Sequence, residues 1–294
     1  MTLRFDRTLD APYGEAIALS PHITRLLAPN PGPFTFKGTG VYLIGGGGGR
    51  IAVIDPGPDL PGHVEALKRA IGKRRISHIL ITHTHRDHSP AAAALKAWSG
   101  ARTYAAGPHS AAAGEVEEGA DRDFRPDVIV WGGDVIAGDG FTLTCIATPG
   151  HTANHMCYAL AEEDALFCGD HVMGWSTSVV APPDGDMAAY LASLEKLIAR
   201  GDHVLYPTHG SPITAPQEYL RELLAHRRMR EAQILDALIP GTDTAQALAM
   251  LLYPDLDPRL RAAAASQVQA HLNHLEDNGA VIRQPDGRYA RVSR

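Results

Sequence analysis

Residues 76–88 read Ile76-Ser-His-Ile-Leu-Ile-Thr-His-Thr-His-Arg-Asp-His88, an apolar run followed at once by three imidazoles and one carboxylate. The apolar run predicts a buried strand over residues 76–82, so the polar groups come where that strand ends. Because alternate side chains of an extended segment share a face, His83 and His85 can reach one metal together, and the later pair can address a second. Imidazole and carboxylate groups are ligands for zinc and similar metals. The stretch therefore predicts a metal centre at a strand end.

Three later apolar runs end in the same way, each with a potential metal ligand in the turn that follows. Those ligands are His151 in Thr-Pro-Gly-His-Thr, Asp170 in Phe-Cys-Gly-Asp-His and His209 in Tyr-Pro-Thr-His-Gly. A single histidine after a glycine is usually a hydrogen-bonded core or surface residue. Ordered segments that each follow a β-like run instead favour one shared metal centre.

The 294 residues, 45% of them hydrophobic, suffice for one large α/β domain with a small appendage. A formal charge of −6 gives no general affinity for nucleic acid or anionic membranes. Cys145, Cys157 and Cys168 lie in apolar segments outside any C-x-x-C pair, which predicts buried, reduced thiols. The N-terminus lacks the apolar run of a signal peptide, and no stretch has the roughly 18 apolar residues of a membrane span. We therefore expect a cytoplasmic protein that does not bind membranes.

Hydrophobic periodicity predicts two similar β/α halves. The predicted strands cover residues 41–44, 50–54, 76–82, 102–106, 128–131, 141–148, 156–161, 164–168 and 203–206, and the predicted helices cover 59–71, 90–98 and 186–199. Gly45–Gly49 predict a hairpin tip and not a phosphate-binding loop, because no Gly-Lys-Ser/Thr follows. Ser89 is the expected N-cap of the second helix, with Pro90 at its first position. The Gly-, Ala- and acid-rich segment 108–126 predicts an exposed insertion that acts as a lid.

From Ala215 onward the composition predicts three helices and a hairpin. The helices cover residues 215–238, 243–252 and 258–277, and hairpin strands 280–283 and 288–292 flank the turn Gln284-Pro-Asp-Gly287. This order resembles a winged-helix module, which can place a helix in the major groove of DNA. Nearby carboxylates offset its arginines, so we expect no purely basic face. We favour a packing or substrate-shaping role over DNA binding.

The ordered motifs His-x-His-x-Asp-His, His151, Asp170 and His209 resemble those of the metallo-β-lactamase superfamily over residues 20–215. The resemblance implies an α/β fold, a four-layer αββα sandwich formed by residues 1–214, with a small winged-helix-like domain over residues 215–294. It also implies two sets of ligands that share a bridging carboxylate. The ligands are His83, His85 and His151 for the first ion, Asp87, His88 and His209 for the second, and Asp170 for both.

By the same resemblance, the chain is a dinuclear-metal hydrolase whose nucleophile is a metal-bound hydroxide, so that no serine or cysteine nucleophile is needed. The expected cofactors are two divalent ions, zinc in the first place and manganese or iron as alternatives. Asp87 and Asp170 are the expected catalytic residues. Asp87 can orient the hydroxide or shuttle its proton, and Asp170 bridges the metals.

The finer pattern resembles the β-lactamase-like-protein-2 branch, through Pro149-Gly-His-Thr152 with His155-Met156, Gly169-Asp170 and His226-Arg227. Animal members of that branch cleave single-stranded RNA, so RNA is one candidate substrate. RNA binding would need cations beside the metals, for which the candidates are Arg86, Arg227, Arg228 and Arg230. Antibiotic hydrolysis is disfavoured, because true β-lactamases commonly carry Cys near the position of Asp170.

Two alternatives stay open from the sequence. A small ester or thioester, as in glyoxalase II, would need only an apolar cleft with a few polar contacts. A non-enzymatic metalloprotein that binds DNA through the winged module is the other alternative. The side chains expected to contact substrate are His155, Ser176, Thr177 and Tyr190. The sequence sets no oligomeric state.

Overall fold

The computed structural model describes residues 3–47, 49–109 and 119–292. Within these residues the chain forms two facing β-sheets with helices on both outer sides, followed by a C-terminal module of helices and a hairpin. The layers therefore run helix, sheet, sheet, helix. The predicted four-layer αββα sandwich with a small C-terminal domain is confirmed.

The first sheet contains seven strands in chain order. They are β1 (Ala16–Ala18), β2 (Ile23–Leu27), β3 (Gly40–Ile44), β4 (Arg50–Ile54), β5 (Arg75–Leu80), β6 (Arg102–Ala105) and β7 (Val128–Ile129). Strands β1 to β4 pair antiparallel, and the remaining pairs are parallel. Parallel pairing of β4, β5 and β6 follows from the crossover helices α1 (Pro61–Ile71) and α2 (Ala91–Ser99), which return the chain to the same edge. The chain consequently leaves these strands at the same end of the sheet.

The second sheet has the strand order β12-β11-β10-β9-β8. These strands are β8 (Val135–Gly138), β9 (Phe141–Ala147), β10 (Met156–Leu160), β11 (Ala165–Gly169) and β12 (Val204–Pro207). Helix α3 (Met187–Ile198) connects β11 to β12, which are parallel, whereas the other pairs are antiparallel. As in the first sheet, the parallel strands β11 and β12 end at one edge.

Three apolar cores hold the layers together. The central core lies between the sheets and includes Tyr42 and Phe167, whose ring centroids are 5.0 Å apart. A second core packs α1 and α2 against the first sheet, and a third packs α3 against the second sheet. Strands covered on both faces are apolar throughout, as the fully buried Gly40–Ile44 illustrates.

The C-terminal module consists of α4 (Pro216–Ala237), α5 (Ala245–Leu252), α6 (Arg261–Asp277), β13 (Val281–Arg283) and β14 (Tyr289–Arg291). Its own core includes Ile234 and Leu272. Helix α4 also contributes Leu220 and Leu223 to the core beneath the second sheet. Because α4 belongs to two cores, the division of the chain at residue 214 stays a prediction.

The predicted elements are all present, with ends that move by up to three residues, but three short strands were not predicted. Strands β1, β2 and β8 have three, five and four residues, too few for a clear alternation pattern. The predicted N-cap of α2 is wrong, because the helix begins at Ala91 and the Ser89 hydroxyl donates to Asp121 Oδ2 at 2.5 Å. The cysteines are free and buried, as predicted. Residues 110–118 of the predicted lid lie outside the described residues.

Candidate metal centre

The predicted ligands meet at the ends of strands from both sheets. The histidine run follows β5, Asp170 follows β11 directly, and His209 follows β12 by two residues. His151 comes from the turn that joins β9 to β10. The seven side chains form two groups, His83, His85 and His151 in one and Asp87, His88, Asp170 and His209 in the other, and within each group the ligand atoms lie within 4.8 Å of one another.

The first group consists of three imidazoles. His83 Nε2 lies 2.9 Å from His85 Nδ1 and 3.2 Å from His151 Nε2. Burial lowers the pKa of His83 well below its ordinary value and lowers the pKa of His85 to about 3. The imidazoles are therefore neutral near pH 7, which is the form that coordinates a metal.

The second group combines two imidazoles and two carboxylates. His209 Nε2 lies 3.0 Å from Asp87 Oδ2 and 3.3 Å from Asp170 Oδ2, and His88 Nε2 lies 3.3 Å from Asp87 Oδ2. Burial opposes protonation of His209, but the nearby carboxylates of Asp170 and Asp87 prevail and raise its pKa to about 10. Without a metal, these buried carboxylates thus draw protons onto their imidazole neighbours.

The residues present fit two divalent cations. Among the described residues, the buried atoms His88 Nε2 and Asp170 Oδ1 have no hydrogen-bond partner, although unpaired buried polar atoms are costly. The rings of His83 and His88 are 4.0 Å apart between centroids, so the two groups adjoin each other. Nitrogen and oxygen donors of this kind suit zinc, manganese or iron. The fold and this cluster therefore fit a dinuclear metal site, and the identity of the metal is open.

Asp55 organises the centre from beneath and is absent from the sequence-based assignment. Its Oδ2 receives a hydrogen bond from His88 Nδ1 at 2.9 Å and from the hydroxyls of Thr82 and Thr208 at 2.7 and 3.1 Å, and its Oδ1 receives one from Thr82 N at 2.7 Å. Because a carboxylate only accepts, His88 carries a proton on Nδ1 and directs Nε2 at Asp87. The only sequence signal for Asp55 is its position directly after β4.

Backbone carbonyls orient two further imidazoles. His209 Nδ1 lies 3.1 Å from Gly38 O, and His151 Nδ1 lies 2.6 Å from Val179 O. The loop that carries Val179 is itself held by the C-terminal helices. Gln267 of α6 accepts a hydrogen bond from Val180 N at 2.9 Å, and Arg227 of α4 donates one to Ser178 O. The C-terminal module thus contacts the segment that positions His151.

The four predicted substrate contacts occupy different environments. Tyr190 is fully buried and its hydroxyl donates to His171 O at 2.9 Å. His155 is buried and stacks on His83 with a centroid distance of 5.3 Å, and its Nδ1 lies 2.8 Å from the Thr148 hydroxyl. These positions favour supporting roles over substrate contact for both residues. Ser176 and Thr177 are partly exposed on the loop after Asp170, and their contact with substrate stays a prediction.

His109 and Asp184 lie next to each other beside the first ligand group, and the sequence did not predict this contact. His109 Nδ1 lies 3.0 Å from the Thr84 hydroxyl, and its ring centroid is 6.1 Å from that of His85. Its Nε2 lies 4.0 Å from Asp184 Oδ2, and both side chains are largely buried. Sequence offers no signal for this contact, since the two residues are distant in the chain and neither lies in a recognisable motif.

The αββα layers together with these ligand groups define a class of protein, the metal-dependent hydrolases that build their centre at the edge of a β-sandwich. Residues 35–209 match the metallo-beta-lactamase superfamily, and residues 244–289 match the beta-lactamase associated winged helix domain. The chain belongs to the metallo-beta-lactamase superfamily and carries its associated winged helix domain.

Several curated proteins and solved structures are similar to this chain. The chain is 34% identical to a beta-lactamase-like protein 2 homolog of Caenorhabditis elegans, over 90% of this chain and 87% of the relative. It is 33% identical to the atrochrysone carboxyl ACP thioesterase AgnL7 of Paecilomyces divaricatus, over 77% of this chain and 68% of the relative. The crystal structure of TTHA1429, a metallo-beta-lactamase family protein from Thermus thermophilus, has a TM-score of 0.78 at 27% identity and covers 94% of this chain and 100% of that one. In the part of the chain that is described, no helix is long and apolar enough to cross a bilayer.

Proposed function

We propose that this hydrolase acts on acyl thioesters. The observation that carries the proposal is that three of the arginines that RNA would need beside the metals are engaged in contacts within the protein. Arg227 is buried against the Tyr190 ring at 4.8 Å, Arg228 pairs with Glu195 at 2.7 Å, and Arg230 stacks over Tyr253 at 4.5 Å. Protein contacts hold all three side chains, so apart from the metal ions few cationic groups beside the centre are free to bind the phosphates of a strand.

A thioester suits the centre for a second reason, which concerns the leaving group. Free thiols ionise with a pKa of about 8.5, so a thiolate departs without a proton donor, whereas an alkoxide would need one. The atoms balance simply, because the carbonyl carbon gains the oxygen of water, the C–S bond breaks, and the proton from water ends on the thiolate or in solvent. The similarity to an ACP thioesterase supports the same substrate class.

Each part of the ligand set has a distinct task in this proposal. His83, His85 and His151 would hold one cation, Asp87, His88 and His209 the other, and Asp170 both. When bound, two divalent cations lower the pKa of water toward about 7 and polarise the scissile carbonyl. Asp87 orients the attacking water and accepts its proton on a carboxylate oxygen. Asp55 holds His88 in the tautomer that leaves Nε2 directed at the centre.

Hydrolysis of single-stranded RNA is the second candidate. The match to the beta-lactamase-like protein 2 homolog favours it, because that match extends over 90% of this chain and therefore reaches into the winged module. Arg86 and Arg228 are the candidate phosphate contacts that stay exposed, and Arg86 Nε donates to Ala120 O at 3.2 Å. DNA binding by the winged module has less support, since Arg259, Arg288 and Arg291 pair with carboxylates.

A substrate panel tests the proposal. Protein loaded with zinc or manganese is offered acyl thioesters of coenzyme A and glutathione, single-stranded RNA, a lactone and a β-lactam. We expect thiol release from a thioester, abolished by Asp170→Ala and retained by the control Asp139→Ala, which alters an exposed loop residue. RNA cleavage that is lost in Asp170→Ala, without thioester turnover, would establish the second candidate instead.

A further inference from the structure

A concave surface lies at the opposite end of the first sheet from the metal centre, where β4, β5 and β6 begin. This basal groove, lined among others by Arg50, Arg74, Arg75, Trp98 and Arg102, has a volume of about 720 Å³. That volume is in the range of small-molecule sites. All its charged side chains are basic, and its lining contains no carboxylate, although the whole chain carries a formal charge of −6.

The arginines of the basal groove lie in an arrangement that is unfavourable without an anion. Arg50 and Arg75 are register partners on the neighbouring parallel strands β4 and β5. Like charges placed directly opposite each other destabilise a sheet. Over residues 3–47, 49–109 and 119–292, none of the four arginines forms an ion pair with a carboxylate. Bound phosphate oxygens would offset this repulsion through charge-assisted hydrogen bonds.

Two of the four arginines donate hydrogen bonds to backbone carbonyls, and the other two are free to bind a ligand. Arg74 donates to Ile71 O and Ala70 O at the end of α1, and Arg102 donates to Asp127 O at 3.2 Å. Both are thereby held in place at the rim of the basal groove. Arg50 and Arg75 are exposed, and no side-chain hydrogen bond to a described residue is present for either.

An aromatic surface completes the groove. Trp98 on α2 is 44% exposed, and Tyr104 on β6 is partly exposed beside His78, with a centroid distance of 5.0 Å. Exposed aromatic rings next to guanidinium groups are the combination that proteins use to stack a base and bind its phosphates.

We propose that the basal groove binds a nucleoside phosphate, with the phosphates on Arg50 and Arg75 and the base on Trp98. A free mononucleotide and the terminal residue of an RNA strand share this chemistry. The basal groove is separate from the metal centre, because the two sites lie at opposite ends of β5, whose six residues span about 17 Å. Occupancy of the basal groove therefore does not depend on which substrate the centre hydrolyses.

Calorimetric titration of the metal-loaded full chain with ADP at low ionic strength tests this proposal. We expect saturable binding that weakens as salt is added, with adenosine and inorganic phosphate each binding more weakly than ADP. The double variant Arg50→Gln/Arg75→Gln should raise the Kd about tenfold or more, and Trp98→Ala should raise it independently. The control Arg221→Gln removes one exposed charge from α4 and should leave the Kd unchanged.

Further arms separate the sites and the sources of the ligand. ADP binding that persists in Asp170→Ala places the ligand outside the metal centre. Competition between ADP and a ten-nucleotide RNA distinguishes the two possible ligands. If the RNA binds more tightly than ADP, the ligand is an RNA strand, and if it binds less tightly, the ligand is a free nucleotide. The proposal fails if ADP shows no saturable binding, if the arginine variant binds it unchanged, or if polyglutamate displaces it as effectively as RNA does.

Discussion

Replacing Asp55 with asparagine would perturb the centre without altering any proposed metal ligand. Asparagine has nearly the same shape and tolerates the left-handed φ of +46° at this position. Its amide oxygen can still accept from Thr82 N, but an NH₂ group replaces the oxygen that now accepts from His88 Nδ1. Two donors would then face each other across the 2.9 Å contact.

The expected magnitude follows from that one contact. Hydroxyl groups of Thr82 and Thr208 can rotate to suit an NH₂ group, whereas the His88 ring can respond only by moving its proton to Nε2. Nε2 is the atom directed at the second ligand group, so the shift competes with metal binding. Loss of such an outer partner costs about 10- to 100-fold in metal affinity, and loss of a charge-assisted hydrogen bond costs about 1.5–3 kcal/mol of unfolding free energy.

Competition with a chromophoric chelator would resolve the two metal-binding steps, and urea unfolding of metal-free protein would give the stability change. We expect one step to weaken and the other to change little. Thr208→Val is the matched control, because it removes the 3.1 Å bond to the same oxygen and leaves the His88 contact in place. Wild-type affinity at both steps in Asp55→Asn, or equal losses at both, would refute the reasoning.

Further predictions concern the metal, pH and the thiols. Chelation should abolish hydrolysis and lower the melting temperature, and added zinc or manganese should restore both. At a free metal concentration of about 100 times Kd, the lost metal binding corresponds to about 2.7 kcal/mol of unfolding free energy. An unchanged melting curve would contradict this prediction. In metal-free protein, Asp170 and Asp87 overcome the effect of burial and raise the pKa of His209 from 6.5 to about 10. The protonated His209 therefore stabilises the folded metal-free protein fully below pH 6.5, and this stabilisation is lost as the pH rises through 10. The melting temperature of the metal-free protein should fall over this pH interval, and it should fall less in the His209→Gln variant. Burial raises the pKa of Cys145 and Cys157 to about 12, so a thiol reagent at about pH 8 should label unfolded protein much faster than native protein, and equal rates would contradict the buried placement.

The sequence predicts those parts of the structure whose signals are local. Gly45–Gly49 between two apolar runs predicts the β3–β4 hairpin, and its antiparallel register is observed. The histidine run after β5 predicts a ligand cluster because strand periodicity and ligand chemistry both lie within a few residues. Ser89 shows the limit of such reasoning, since its hydroxyl bonds to Asp121, a partner 32 positions away.

Asp55 marks what the sequence does not predict at the site. In Asp-Pro-Gly after a strand, an aspartate is typical of an ordinary turn. Its role depends on Thr82, 27 positions away, and on Thr208, 153 positions away. Pairing of β4 with β5 brings Thr82 beside Asp55, and the packing of the two sheets adds Thr208. The contact between His109 and Asp184 likewise depends on the assembled fold.

The hydrogen bond between Val180 N and Gln267 bears on whether the C-terminal helices can be removed without affecting the metal centre. If the C-terminal module were independent of the catalytic domain, its removal would leave the metal centre unchanged. Here, removal of α6 would strip the partner from Val180 N, next to the carbonyl that fixes His151. The C-terminal helices therefore support the loop whose carbonyl orients His151, and a truncation that removes α6 would change the surroundings of that metal ligand.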